Sequence, residues 1–183
     1  KLGSSPEYID NFARAIMTTD THPKWCSASI ENSTLLGVAK GAGMIEPNMA
    51  TMLSFFVTDA KLSSDQLQTI LRSVVNQSFN RISIDSDTST SDTVIILANG
   101  LAGPVDAEKF EKTLRNSSIQ LAKEIARDGE GSTKLIELTV SGAESQQMAL
   151  QISKSIINSP LVKTAIHGAD PNWGRFVMAV GKV

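Results

Sequence analysis

Apolar residues recur along this chain in two rhythms, and the change of rhythm marks its elements. Ser4, Ser5 and Pro6 read as a helix start, after which Ile9, Phe12, Ala13 and Ile16 fall on one helical face. Residues 35–39 form a short apolar stretch between turn residues, and 51–58 a second one rich in aromatic and aliphatic side chains, so both are expected strands. Ser63 or Ser64 caps a helix whose Leu67, Ile70, Leu71, Val74 and Val75 make an apolar stripe. Residues 94–97 predict a buried strand, and a helix follows from about Asp106, with Phe110 and Leu114 four apart. Alternation over 135–140 predicts a half-buried strand, 144–157 an amphipathic helix, and 176–180 a closing strand. Strands alternating with helices indicate an α/β layered domain. With no repeat, low-complexity tract or linker in view, a single domain is expected.

Composition narrows the partners. The 183 residues are 41% hydrophobic and 20% charged, with a formal net charge of −2. Lysines and arginines are scattered singly, which argues against a phosphate-tracking nucleic-acid surface. The single cysteine, Cys26, excludes an internal disulfide framework and fits a reducing compartment rather than secretion. Apolar runs such as 52–57 are far too short to span a bilayer. Lys1 opens the sequence without a basic-then-apolar leader, so an internal or processed piece is expected.

Certain stretches resist a packing account. Lys40-Gly41-Ala42-Gly43-Met44-Ile45-Glu46-Pro47-Asn48-Met49-Ala50-Thr51 is a shaped loop that delivers Thr51 to the head of a strand. It lacks the Gly-Lys-Ser/Thr ending of a phosphate cradle. The run 85–93 (Asp-Ser-Asp-Thr-Ser-Thr-Ser-Asp-Thr) sets short polar residues against the apolar strand that follows. As a calcium loop it fails, because Thr90 replaces the required glycine and Ile96 the bidentate glutamate. Asp170-Pro171-Asn172-Trp173-Gly174-Arg175 is a turn-rich loop carrying an aromatic and a guanidinium. Asp20, His22 and Cys26 are unlike ligands without a fourth, a poor metal set.

Residues 41–53, the run 85–93, Asp128-Gly129-Glu130-Gly131 and 170–175 together resemble the ornithine acetyltransferase (glutamate N-acetyltransferase) family. Met17-Thr18-Thr19-Asp20-Thr21 is similar to the family's motif near the end of its α subunit. The motifs keep the family's order over nearly the whole chain. The resemblance implies a layered α/β sandwich with mixed sheets and a precursor that cleaves itself between Ala50 and Thr51. Residues 1–50 would be the C-terminal part of an α subunit and 51–183 the N-terminal part of a β subunit, both in one α/β unit and paired as an α2β2 heterotetramer. Thr51 would be the nucleophile, and Thr18, Lys40, Thr51 and Glu130 would contact substrate. The implied reaction passes an acetyl group from N2-acetyl-L-ornithine to L-glutamate through acetyl-threonine, with no bound cofactor or metal. Acetyl-coenzyme A would be the alternative donor in bifunctional members. The implied setting is a bacterial cytoplasm or a mitochondrial matrix. The family's oxyanion pair lies upstream of Lys1, and its remaining substrate contacts beyond Val183. A missing oxyanion donor lowers catalysis on the order of 10²–10³-fold, so this stretch alone is expected to be nearly inactive. Ser91 stands where the family has asparagine.

The chemistry suits these residues. A threonine hydroxyl needs an adjacent base, and neither His22 nor His167 sits in a triad pattern. Scission before Thr51 supplies one, because the freed α-amine has a pKa near ~8 and is partly neutral at physiological pH. Lys40 suits a carboxylate as a point charge, and Glu130 on its Gly-Glu-Gly turn suits an ammonium. Each also has a plain competitor: Thr51 as a strand-opening β-branched residue, Lys40 as a solvated strand end, Glu130 as a turn residue, Thr18 as a helix-end hydroxyl. The 85–93 run reads best as a hydrogen-bonded scaffold behind the site, and Trp173 with Arg175 as a stacked structural pair. Left open beside acetyl transfer are an N-terminal-nucleophile aminopeptidase or amidase and a catalytically incomplete assembly chain.

Overall fold

The computed structural model describes residues 5–45, 52–87 and 90–183. They divide into two compact units, residues 1–130 and 131–183, where a single domain was expected.

The first unit is built on a four-stranded sheet in the order β1-β2-β3-β4. Its strands are β1 (Lys24–Ile30), β2 (Ser33–Lys40), β3 (Leu53–Lys61) and β4 (Thr93–Pro104). β1–β2 and β2–β3 run antiparallel and β3–β4 parallel, so the sheet is mixed. The parallel step crosses over through α2 (Ser64–Gln77). Ser63 accepts from the Gln66 amide while the Gln66 side chain accepts from the Ser63 amide, satisfying donors a helix start leaves unpaired.

A long helix, α3 (Ala107–Arg127), starts at an Asp106 cap that accepts from the Lys109 amide at 2.8 Å. Its Phe110, Leu114, Leu121 and Ile125 follow helical spacing and are fully buried. With α2 they cover one sheet face, closing a core around Phe56, Phe79, Leu35 and Val74. α1 (Glu7–Ala15) sets Phe12 edge-on to Phe55 at 5.6 Å. Phe55 and Phe56 point to opposite faces, so α1 covers the other side and the unit is layered.

Two expected strands are corrected. Residues 135–140 form no strand: the sheet lies wholly in the first unit, so the alternation finds no pairing neighbour among the described residues of the second. Residues 176–180 belong to α6 (Trp173–Val180), where Phe176 and Ala179 pack against Ile156 and Val162. A short apolar run fits either period, and here helix neighbours decide it. α4 (Gln146–Ile157) and α5 (Pro160–His167) complete this unit, each capped by a serine, Ser145 and Ser159. Arg175 does not stack on Trp173: it donates to the Leu161 carbonyl and the Thr164 hydroxyl of α5, and Trp173 is exposed. β1 and α5 were not anticipated.

Candidate active site

The site forms where three strands share an end. Lys40 at the close of β2 pairs with Leu53 at the start of β3, which pairs with Thr93 at the start of β4. Lys40 is buried, and its Nζ donates to the Thr18 hydroxyl at 3.2 Å. The fold therefore joins two of the candidate substrate contacts.

Glu130 reaches the same corner by backbone. Gly41 turns the chain out of β2 with φ of 147°, a conformation that favours glycine. The Ala42 carbonyl then accepts the Glu130 amide at 2.7 Å. The exposed Glu130 carboxyl lies directly over Gly43, where a β-carbon would come 2.7 Å from Glu130 Cδ. Thr18, Lys40 and Glu130 are thus gathered by loops that touch one another.

Thr51, the Ala50–Thr51 bond and the rest of 46–51 lie outside the described residues, as do Thr88 and Ser89 of the polar run. An aspartate ties down the chain on each side of 46–51. On one side, Asp85 accepts the amides of Met44 at 2.5 Å and Ile45 at 2.9 Å, and the Ile84 amide donates to the Ile45 carbonyl at 2.7 Å. On the other, Asp92 accepts the Met52 amide at 2.6 Å and the Thr93 amide donates to the Met52 carbonyl at 3.1 Å. The described part of the polar run is the hydrogen-bonded scaffold its composition suggested. Burial pushes the Asp92 carboxyl up to about 6, against the opposing pull of the Met52 amide and the nearby Lys40 ammonium.

Sequence reasoning missed a buried ion triad beneath this corner. The Lys24 side chain, with no solvent access, sits 2.6 Å from Asp20 and 2.5 Å from Asp128. Burial alone would raise both carboxyls. Donors from Gly41, Lys24 and Thr18 to Asp20, and from Lys24 and Thr21 to Asp128, outweigh it and hold both below the usual range. Asp20 is thereby committed to Lys24 rather than to His22 or Cys26. Cys26 faces the Ser117 carbonyl in the core, where burial raises its thiol. The Asp20-x-x-x-Lys24 spacing was the local signal available; Asp128 is 104 positions away.

The first unit is thus a mixed α/β fold in which Lys40 meets Thr18 and the Glu130 amide meets Ala42, two residues on from Lys40. The ArgJ family profile matches residues 2–183, and the chain belongs to that family. It is 56% identical over 174 residues to "Glutamate N-acetyltransferase Oat2" of Streptomyces clavuligerus, covering 95% of this chain and 44% of that protein. It is 60% identical over 173 residues to "Arginine biosynthesis bifunctional protein ArgJ 2" of Clostridium acetobutylicum, covering 94% of this chain and 45% of that protein. The chain thus spans less than half the length of these relatives. The crystal structure of the "Arginine biosynthesis bifunctional protein argJ" of Bacillus halodurans superposes with a TM-score of 0.69 at 49% identity. That match covers 72% of this chain and 65% of the other. No helix among the described residues is long and apolar enough to cross a membrane.

Proposed function

We propose that this chain carries the nucleophile and the amino-acid contacts of a glutamate N-acetyltransferase that moves acetyl from N2-acetyl-L-ornithine to L-glutamate. The observation that carries the reading is the contact of Lys40 with Thr18, and of the Glu130 amide with Ala42, at the end of β2, whose Lys40 pairs with Leu53 two residues after Thr51. Donor and acceptor share an α-carboxylate, which the Lys40 ammonium complements. The exposed Glu130 carboxyl suits the ammonium each substrate carries, on the side chain of acetylornithine and at the α-carbon of glutamate.

The precursor is cut between Ala50 and Thr51, leaving 1–50 in an α subunit and 51–183 in a β subunit. The Thr51 hydroxyl attacks the Ala50 carbonyl, the acyl group shifts from nitrogen to oxygen and so frees the α-amine, and water then hydrolyses the ester to release the Thr51 hydroxyl and an Ala50 carboxylate. That amine takes the hydroxyl proton as Thr51 Oγ adds to the acetyl carbonyl of acetylornithine. The C–N bond breaks, the proton passes to the departing ornithine amine, and acetyl-Thr51 remains. The glutamate amine then attacks the ester and regenerates the hydroxyl. Sheet topology supports the cut: β2 and β3, hydrogen-bonded neighbours, stand on either side of it, so severed chains would stay paired.

The "bifunctional" in the relatives' names supports acetyl-coenzyme A as a second donor. Subunits of one precursor would associate further as α2β2. A bacterial cytoplasm or mitochondrial matrix suits the lone, buried Cys26 thiol.

Full-length protein incubated with N-acetylornithine, with and without glutamate, tests the reaction. Formation of N-acetylglutamate with stoichiometric ornithine is expected. Acetate release indifferent to glutamate would make it an aminopeptidase-like hydrolase, and an uncut, inactive chain would make it an assembly subunit.

A further inference from the structure

The buried ammonium of Lys24 has no place in the chemistry above. It opens β1 with no solvent access and donates to Asp20 Oδ1 at 2.6 Å, Asp128 Oδ2 at 2.5 Å and the His22 carbonyl at 3.4 Å. An ammonium has three protons, and each has an acceptor here. The carboxylates are committed further. Asp20 also accepts the amides of Gly41 at 2.7 Å and Thr18 at 3.2 Å. Asp128 accepts the Thr21 amide at 2.9 Å and the Thr21 hydroxyl. Each loop so tied carries a candidate substrate contact: Thr18 itself, Lys40 beside Gly41, and Glu130 two residues after Asp128.

We propose that Lys24 is a positioning residue, one buried cation that holds Thr18, Lys40 and Glu130 in the spacing an α-amino acid requires. The inference rests on those residues being the substrate contacts. An apolar side chain would fill the same volume, and buried ion pairs are poor sources of stability relative to one. An apolar side chain cannot join backbone from three separate loops to a single point. Without the ammonium, the Asp20 and Asp128 carboxylates would be left as like charges in a dry site, and their loops would part.

The test uses full-length protein carrying Lys24→Met, Asp128→Asn, Lys40→Met or Glu130→Gln. Lys24→Met and Asp128→Asn are expected to raise KM for glutamate roughly 10- to 100-fold, the effect of a small misplacement of binding groups. Their kcat per cleaved Thr51 terminus should stay within about threefold. Cleavage persists, because Asp85 and Asp92 brace its loop instead. Asp128→Asn keeps the shape and an oxygen for Thr21, so it gives the readout even where Lys24→Met does not fold. A triad that merely stabilises the fold would lower the active fraction and leave KM unchanged, and that result overturns the proposal. Glu130→Gln and Lys40→Met separate the two claims. Raised KM in these with wild-type KM in both Lys24→Met and Asp128→Asn ends the positioning role alone. Unchanged KM in Glu130→Gln and Lys40→Met ends the substrate-contact reading itself.

Discussion

The Asp92 carboxylate accepts the Met52 amide at 2.6 Å, so the residue after Thr51 is tied to the head of β4 by a half-buried acid. Burial raises that acid's pKa from 3.8 to about 6, with the Met52 amide and the Lys40 ammonium working against the shift. A folded-state value above the unfolded one means the folded chain binds the proton more tightly. The resulting stability is therefore present near pH ~4 and lost as pH rises through about 6. Relative to Asp92→Asn, which keeps an oxygen for Met52, the wild-type protein should lose stability across that window and hold a constant deficit above it. Melting temperatures of both proteins between about pH 4 and pH 8 check this. A difference that does not change with pH would show that Asp92 titrates normally.

Asp85 has the matching role on the other side of 46–51. It receives both the Met44 and the Ile45 amides, and Ile45 is buried. Asp85→Ala removes the acceptor of the buried Ile45 amide, at roughly 1–3 kcal/mol. Should the brace hold 46–51 in the attacking geometry, losing about 1.4 kcal/mol of that restraint slows self-cleavage tenfold. Gel time courses of freshly made full-length precursor measure it, with Thr51→Ala as the control that stays one chain. Cleavage at the wild-type rate in a folded Asp85→Ala protein would remove the bracing role.

What could be read in advance was what is decided locally. Ser63, Gln66 and the stripe from Leu67 to Val75 lie within a few turns of one another, so α2 was visible with its cap. Asp106 announced α3 for the same reason. β1 was not visible, because Lys24, Ser27 and Ser29 interrupt its apolar pattern and one of the two acids that make a buried lysine tolerable, Asp128, is remote in sequence. Residues 176–180 had the composition of a strand, and only the packing of Phe176 and Ala179 against Ile156 and Val162 makes them helical. Thr18, Lys40 and Glu130 were named by resemblance. Their convergence depends on the Glu130 amide meeting Ala42, a contact no spacing encodes. The polar run was rightly read as scaffold, yet the amides it holds, at Met44, Ile45 and Met52, are 40 or 41 positions away.

Gly37 in β2 tests the sheet that carries the site. A β-carbon there would come 2.6 Å from the Phe56 ring and 3.1 Å from Cys26 Sγ. Phe56 is fully buried and leans on Phe79, with ring centroids 6.5 Å apart, so it cannot retreat. Gly37→Ala should destabilise by about 1–3 kcal/mol through overpacking. Adding Phe56→Leu to Gly37→Ala should recover part of the loss, since the pair couples directly. Denaturant unfolding of the single and double variants decides it, and strictly additive losses would show that the clash is relieved elsewhere.

Gly43→Ala separates binding from folding more cleanly than any change to a charged group. The new β-carbon would fall 2.7 Å from Glu130 Cδ and 2.8 Å from Glu130 Oε1, displacing the far end of an exposed, flexible side chain rather than backbone. Gly43 is not among the glycines with positive φ, so alanine meets no backbone penalty. The melting temperature should move by no more than about 2 °C, and cleavage before Thr51 should be unaffected. The carboxyl, though, must leave its place beside the loop that follows Lys40, and KM for glutamate should rise roughly tenfold. Pairing Gly43→Ala with Glu130→Gln should add little further to KM, because both act on one group. Full additivity, or a wild-type KM in Gly43→Ala, would mean that the Glu130 carboxyl does not meet the substrate from this position.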